Sequence, residues 1–249
     1  MTDEEREFFR RAEELVSRCQ RSGSVTATGF LTPAQQYALR PWAEARDAVF
    51  CFSGGGEGCE RQCAFFLPDW MEPSDFDVGE HICAVQLKSH FGEPTHRDYM
   101  GAILALGIRR EWLGDIRVTG NICTVFCLPS VEPVLRELEK VGRCTVKASS
   151  LPLSAVPVPE RRVKTVSFTV KSLRMDAVAG EMFSVSRTAA ADAIRLGLVQ
   201  LNYAPCLRTD ASVKEGDVLS FRGKGKGAVA EVGGQSKKDR TFVTAEIYL

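Results

Sequence analysis

Polar side chains near the C-terminus have types and spacing suited to holding a phosphate-bearing molecule. They lie in Ser172–Asp176, Ser186-Arg187, Ile194–Asn202 and Gly216-Asp217. Arginine presents a planar fork of donors that matches phosphate oxygens. A helix would place Arg187 and Arg195 on one face, with Ala191 between them, beside a helix N-terminus that favours anions. Charge spacing alone is also typical of a solvated helix face, so it predicts binding only together with its neighbours.

Two helices and a following strand are predicted to position these arginines. The first helix would bury a stripe at helical spacing, made of Met175, Val178, Ala179 and Met182. The second would begin at Ser186, a favourable N-cap, and end at Gly197. Its inward face would consist of Ala190, Ala193 and Ile194.

In this order, the pieces resemble the RNA-binding domain named after ribosomal small-subunit protein S-four. The resemblance implies an RNA face that includes Arg174, Ser186, Arg187, Arg195 and Asn202. It also implies that Asp176 orients the arginines and that Gly216-Asp217 shapes a turn. Ala191 and Asp192 stand where family members often carry basic or long polar residues. This departure implies a modest affinity for the module alone.

Basic charge is concentrated in the same part of the chain. The 249 residues contain 32 Lys+Arg and 32 Asp+Glu, but residues 161–249 contain 15 against 9 and residues 1–160 contain 17 against 23. Such segregation favours an anionic partner for the C-terminal part. The run Arg222–Gly227 predicts a flexible basic loop in which Lys224 and Lys226 follow an RNA backbone, although an ordinary glycine turn fits it too. Lys171 is assigned to the same surface.

The centre of the chain predicts a split β-α-β-β-α-β arrangement of ferredoxin-like type, which many RNA-recognition modules use. The predicted elements are strand His81–Lys88, helix Thr95–Leu106, strands Asp115–Thr119 and Ile122–Leu128, helix Ser130–Val141 and strand Arg143–Ala148. Thr95 with Asp98 resembles a capping box, and Ser130 would cap the second helix.

The predicted fold class is α+β with four segments. Residues 1–47 would form a helical segment, with helices at 3–21 and 32–47, and residues 48–150 the ferredoxin-like domain, introduced by a hairpin of Ala48–Ser53 and Arg61–Leu67. Residues 151–165, rich in proline, would form an extended linker, and residues 166–249 the S-four-like αα-β domain, ending in strands Ala228–Val232 and Thr241–Leu249. A linker of this kind would let two weak surfaces gain affinity through effective concentration.

Two further segments resemble the YlmH family of bacterial RNA-binding proteins. They are Phe52–Gly58 with Glu60-Arg61, and Thr95–Gly107 with Gly114–Ile116. The resemblance implies RNA-facing roles for Arg61, His96 and Arg97, while His96 and Arg97 could equally be held by local contacts, with Arg97 paired to an acidic neighbour. It implies a ribosome-associated factor, linked to the large subunit and transfer RNA, in rescue or quality control of stalled translation.

We expect neither catalysis nor a cofactor. His96-Arg97-Asp98 resembles the start of a kinase catalytic loop, but Ile103 replaces the required asparagine. Gly54–Gly58 lacks the Lys-Ser/Thr of a phosphate-binding loop, and the catalytic strand of pseudouridine synthases is not found. An RNA-modifying enzyme that uses the central domain remains an alternative, as does a protein-interaction adaptor linked to cell division.

Cysteine usage and hydropathy indicate a cytoplasmic protein. The nine cysteines show no regular framework, the chain opens without an apolar leader, and no apolar run is long enough to span a bilayer. Cys59/Cys63 and Cys123/Cys127 are more typical of small core residues than of a zinc site. We therefore expect a monomer without metal or membrane that binds structured RNA.

Overall fold

The computed structural model describes residues 2–159, 162–236 and 239–249. Its α+β fold comprises two compact units, Met1–Pro159 and Glu160–Leu249. Each unit has its own hydrophobic core. Nowhere in these described ranges is there a helix with the length and apolar composition needed to cross a membrane.

The first unit begins with two capped helices and a small sheet. These elements are α1 (Asp3–Ser22), β1 (Thr26–Ala27), α2 (Pro33–Glu44), β2 (Phe50–Ser53) and β3 (Cys63–Phe66). Thr2 caps α1 and Thr32 caps α2, and in both cases a Glu or Gln three residues on completes a capping box. The predicted helices and hairpin are confirmed, except that α2 ends before residue 47.

The remainder of the first unit is a five-stranded antiparallel sheet with two helices. Its elements are β4 (Cys83–Ser89), α3 (His96–Ala105), β5 (Leu113–Thr119), β6 (Ile122–Cys127), α4 (Glu132–Arg136), β7 (Lys140–Val141) and β8 (Cys144–Leu151). The strand order is β5-β6-β4-β8-β7, so the first and third long strands are neighbours. The predicted succession β-α-β-β-α-β is therefore present, with the added strand β7 at the edge.

The second helix of this part is shorter than the sequence predicts. The helix covers only Glu132–Arg136, and Val131 occupies the N-cap position without a side-chain bond, so Ser130 is not the cap. The chain then turns, and Lys140–Val141 pairs with Cys144–Thr145 in a short hairpin. Pairing with β8 thus replaces the helical turn that the apolar spacing had suggested.

The N-terminal elements and the central sheet share one of the hydrophobic cores. Phe30, Phe65, Ile82 and Phe126 are fully buried together in it. Glycine allows the close approach, because a Cβ at Gly55 would lie 2.6 Å from Ile82 and one at Gly114 would lie 2.6 Å from the Phe30 ring. The glycine-rich hairpin loop therefore packs against the sheet.

The predicted linker is shorter and less extended than its prolines indicate. Strand β8 continues to Leu151, and a 3-10 helix follows at Leu153–Ala155. Leu153 and Val156 pack against the shared core of the first unit. Residues 160 and 161 lie outside the described part of the chain, and the next strand begins at Val163.

The second unit packs two helices against one face of a six-stranded antiparallel sheet. Its elements are β9 (Val163–Val170), α5 (Met175–Met182), α6 (Arg187–Arg195), β10 (Val199–Leu201), β11 (Ala204–Pro205), β12 (Val218–Phe221), β13 (Gly225–Gln235) and β14 (Thr241–Tyr248), with the strand order β11-β10-β12-β13-β14-β9. The predicted apolar stripes of both helices are buried in its core, and the predicted αα-β arrangement is present.

Candidate nucleic-acid interface

A buried carboxylate of the second unit joins two arginines, one at the N-cap of α5 and one at the start of α6. Asp176 accepts hydrogen bonds from Arg174 (Nε to Oδ1, 3.2 Å; Nη2 to Oδ2, 3.1 Å). It also accepts two from Arg187 Nη2, at 3.3 and 3.1 Å. The side chain of Asp176 is 7% exposed, whereas those of Arg174 and Arg187 are 40% and 58% exposed. The arginine cluster, defined as these three residues, thus presents two oriented guanidinium groups to solvent.

The ionised form of Asp176 is stabilised by its hydrogen-bond partners. Burial acts to raise its pKa, but the hydrogen bonds from Arg174 and Arg187 outweigh burial and leave the pKa below its usual value. The carboxylate is therefore ionised at neutral pH and neutralises only one of the two guanidinium charges. The prediction that Asp176 orients the arginines is confirmed.

Backbone contacts fix the positions of α5 and α6 around the cluster. At the start of α5, Met175 N–H donates to Ala211 O and Asp176 N–H donates to Thr209 O. These N–H groups are therefore engaged by the chain itself and not open to an anion. A Cβ at Gly180 would lie 3.3 Å from Val185 O, so glycine lets the two helices approach closely.

Ser186 and Arg195, which are also predicted to face RNA, have partners within the chain that limit their availability to RNA. The Ser186 hydroxyl accepts from Ala189 N–H at 3.1 Å, so it caps the helix, as its type predicted. Arg195 donates to Asp192 at 2.8 Å, and both side chains are more than 60% exposed. Ala191 is 9% exposed and does not form an open surface between the arginines.

The predicted basic loop is a tight turn followed by a strand. Lys224 is exposed in the turn between β12 and β13, but Lys226 lies within β13 and pairs with Ser220 and Tyr248 on the neighbouring strands. The Lys226 ammonium lies over the rings of Tyr203, at 4.9 Å, and Tyr248, at 5.6 Å. The prediction of a flexible loop is therefore wrong, and the two lysines belong to an ordered surface. Lys171 is exposed in the turn between β9 and α5.

Asn202 shapes a turn and does not present a polar side chain outward. It is 8% exposed and has a φ of 50°, in the left-handed region. Its amide donates to Asp217 Oδ1 at 2.8 Å and accepts from Val218 N–H at 2.9 Å. Burial and these bonds correct the assignment of Asn202 to the RNA face. The turn role predicted for Gly216-Asp217 is confirmed, because Asp217 also accepts from Lys214 N–H.

Arg61 packs into the first unit, and its predicted RNA contact stays a prediction. Its guanidinium is half-buried and donates to the backbone oxygens of Leu113, Phe30 and Arg110. Burial lowers its pKa, against the opposing influence of the Asp115 charge. Backbone carbonyls therefore engage its Nε and Nη2 groups, and Nη1 has no hydrogen bond within the described residues.

His96 and Arg97 are exposed in the first turn of α3. Thr95 caps this helix, and Asp98 completes the capping box by accepting from Thr95 N–H at 2.8 Å. Hydrogen bonds from Thr95, with a smaller influence of Arg97, lower the pKa of Asp98. Among the residues described, neither His96 nor Arg97 has a side-chain hydrogen bond or ion pair. Their predicted RNA contacts stay predictions.

Sequence reasoning missed a pair of lysines on the central sheet. Lys88 of β4 and Lys147 of β8 are direct cross-strand partners, and both are exposed. Like charges in directly opposed positions destabilise a sheet, so the pair is better suited to an anionic partner than to stability. Only the strand register brings them together, and the sequence gives no local signal for it.

The cysteines lie in apolar surroundings. Burial raises the pKa of Cys63, Cys123 and Cys127 to about 12, far above that of a reactive thiol. Within the part of the chain that the structure describes, no three His, Cys, Asp or Glu side chains are grouped so that they could hold a metal ion.

Comparison with known proteins identifies the family. Residues 72–155 match a family model described as "Putative RNA-binding domain in YlmH". A relative from Bacillus subtilis (strain 168), named ribosome-associated protein quality control protein P2, is 30% identical over 244 residues, which cover 98% of this chain and 95% of the relative. The chain belongs to the YlmH family. The resemblance seen in the sequence is thereby confirmed.

A solved structure of the YlmH family supports the fold. The cell division protein ylmH from Streptococcus pneumoniae superposes with a TM-score of 0.54 and 22% sequence identity. The match covers 62% of this chain and 94% of the other. At this identity, the likeness concerns the fold alone.

Proposed function

We propose that this YlmH-family chain is a non-catalytic RNA-binding protein that associates with the ribosome through its second unit. The arginine cluster carries the proposal. Its two guanidinium groups are oriented by one ionised carboxylate and remain 40% and 58% exposed, which suits them to the oxygens of a folded RNA backbone. Arg195, Lys171, Lys224 and Lys226 add positive charge on the same unit.

Family membership supports the ribosome as the site of action. The Bacillus subtilis relative is named for ribosome-associated protein quality control, and the match to an RNA-binding domain model lies in the first unit. From this we propose a cytoplasmic monomer that binds ribosomal or transfer RNA on the large subunit during quality control of stalled translation. In the first unit, Lys88 and Lys147 would supply a second RNA contact.

Co-sedimentation with purified ribosomal subunits tests the proposal. Wild-type protein should move with the large subunit, and Arg187→Gln/Arg195→Gln should remain in the supernatant at the same salt concentration. Glutamine is preferable to glutamate because a new carboxylate at position 187 would repel buried Asp176. Arg21→Gln/Lys164→Gln is the matched control, since it removes two exposed charges outside α5 and α6.

Salt dependence provides an independent measurement. If five phosphates are contacted, the logarithm of the association constant should fall with the logarithm of salt concentration with a slope of roughly −3.5 to −4.5. The Arg187→Gln/Arg195→Gln variant should reduce the magnitude of that slope by about 1.4 to 1.8, because it removes two phosphate contacts. A slope near zero, or equal binding of both double variants, would refute an RNA interface on this unit.

Two outcomes would favour other functions. Turnover of an RNA substrate that is lost in His96→Ala with binding intact would indicate an enzyme. Association that survives nuclease treatment and the Arg187→Gln/Arg195→Gln change would indicate a protein-interaction adaptor.

A further inference from the structure

The first unit contains a groove of about 660 Å³ that is lined in part by arginines. The lining includes the half-buried Arg61 and Arg110 together with residues of α1, of the segment after β1 and of the segment before β5. A volume of this size is typical of a site for a small organic ligand and much larger than a single inorganic ion requires. The groove lies wholly within residues 8–128 of this unit.

The two guanidinium groups converge on one carbonyl oxygen, and no carboxylate among the described residues accepts a hydrogen bond from either of them. Arg61 Nε and Arg110 Nη1 both donate to Leu113 O, at 3.1 and 2.7 Å, so these nitrogen atoms are at most about 6 Å apart. Neighbouring Asp115 accepts instead from the backbone N–H groups of Glu60 and Arg61. Within the residues that the structure describes, neither guanidinium forms an ion pair.

A bound anion would add to the negative charge that Asp115 already supplies to these two arginines. Both guanidinium groups are half-buried, and burial lowers the pKa of each. The charge of Arg61 lowers the pKa of Arg110 further, while the charge of Asp115 acts in the opposite direction on both. Backbone carbonyls of Leu113 and Gly114 hold Arg110 in place, so its charge is already oriented. Among the described residues, the carbonyls leave Arg61 Nη1 and Arg110 Nε and Nη2 without acceptors, so a bound anion would use donors whose positions are already fixed.

The walls of the groove indicate what the anion carries. Phe8, Leu15, Trp112 and Leu128 provide apolar surface beside the arginines, and the lining contains four arginines against two glutamates. Such a site suits a molecule with an anionic end and a flat apolar body. We propose that the groove binds a nucleoside phosphate, either as a free nucleotide or as the terminal nucleotide of an RNA chain.

Calorimetric titration of the full chain tests this site. Nucleoside monophosphates should bind at least about tenfold more tightly than the matching nucleosides, because only the former offer phosphate oxygens to charged donors. Arg110→Leu should remove that preference. Arg18→Glu, at an exposed lining position on α1, should weaken binding without disturbing Arg61 and Arg110, and Arg21→Glu, outside the lining, should leave binding unchanged.

The source of the phosphate is distinguished by short RNA strands. Tighter binding of a 5′-phosphorylated or 3′-phosphorylated strand than of its unphosphorylated form would assign the groove to an RNA end, and binding of mononucleotides alone would assign it to a free nucleotide. The Arg187→Gln/Arg195→Gln variant should bind nucleotides as wild type does, which separates this site from the proposed ribosome interface.

Three results of the nucleotide titrations would overturn the proposal. They are equal affinity for nucleosides and nucleotides, wild-type nucleotide binding by both Arg110→Leu and Arg18→Glu, and no nucleotide binding at millimolar concentration. Binding of an acidic peptide that Arg110→Leu abolishes, without any binding of nucleotides, would also overturn it and would assign the groove to a protein partner.

Discussion

Replacing Asp176 with asparagine tests whether RNA binding by the second unit depends on its net charge or on the orientation of Arg174 and Arg187. The change adds one unit of positive charge to a surface proposed to bind phosphates, so net charge alone predicts tighter RNA binding. The structure predicts the opposite, because Asp176 accepts all four hydrogen bonds that orient Arg174 and Arg187. An asparagine has one acceptor oxygen in place of two and turns an NH2 group toward a guanidinium.

Asp176→Asn is expected to lower both the free energy of unfolding and the affinity for RNA. Because both arginines are exposed enough to be hydrated after the change, we expect Asp176→Asn to lower the free energy of unfolding by only about 1–2 kcal/mol. Ordering two long side chains on binding then costs free energy that the wild type does not lose, so RNA affinity should fall about five- to tenfold.

Acid pH should reduce the same contribution in the wild type. The folded-state pKa of Asp176 is depressed, so its contribution to stability is present above the unfolded value, near 4, and is lost as pH falls through the folded value. The wild type should therefore lose this part of its free energy of unfolding below about pH 4, and Asp176→Asn should not show that loss. Hydrogen exchange of peptides covering residues 175–195 measures the stability, and filter binding at fixed salt measures the affinity.

Asp192→Asn is the matched control. It removes the same charge from an exposed residue whose partner is Arg195, so RNA affinity should rise about two- to threefold while stability stays nearly unchanged. The reasoning fails if Asp176→Asn also binds RNA more tightly and exchanges its amide hydrogens at the wild-type rate.

Other substitutions test the packing and burial of each unit. Gly114→Ala should cost about 1–3 kcal/mol, because its Cβ would lie 2.6 Å from the Phe30 ring, and an unchanged thermal midpoint would contradict this. Asn202→Ala should cost about 1–3 kcal/mol through its lost bond to Asp217, measured by urea unfolding, with RNA affinity of the folded fraction retained. Cys63, whose pKa burial raises to about 12, should resist iodoacetamide at pH 8 until the protein unfolds; alkylation at the rate of a free thiol would refute this.

Local signals in the sequence predicted the elements whose stability is local. Thr95 with Asp98, and Ser186 before an apolar stripe, mark helix starts through contacts three residues apart, and both caps are present. The Met175 stripe is buried as its spacing predicts. These features need no information about distant parts of the chain.

The structure differs from expectation where distant segments decide the outcome. Residues 132–141 have helical apolar spacing, but pairing with β8 takes Lys140 and Val141 into a strand. Arg61 and Asn202 have the residue types of an RNA surface, and only the fold shows that carbonyls from Phe30 and Leu113 surround the first. Burial of a polar side chain depends on such long-range packing and cannot be read from its type or spacing.

The shared core of the first unit limits how this protein can be dissected. The residues that match the RNA-binding family model, 72–155, include Ile82 and Phe126 but not their partners Phe30 and Phe65. A gene fragment that encodes only the matched segment would translate into a chain with an uncovered aromatic surface, prone to precipitate. In this lineage, the N-terminal helices and the sheet are therefore expected to be inherited together, and shuffling of the matched segment alone into other proteins would be selected against.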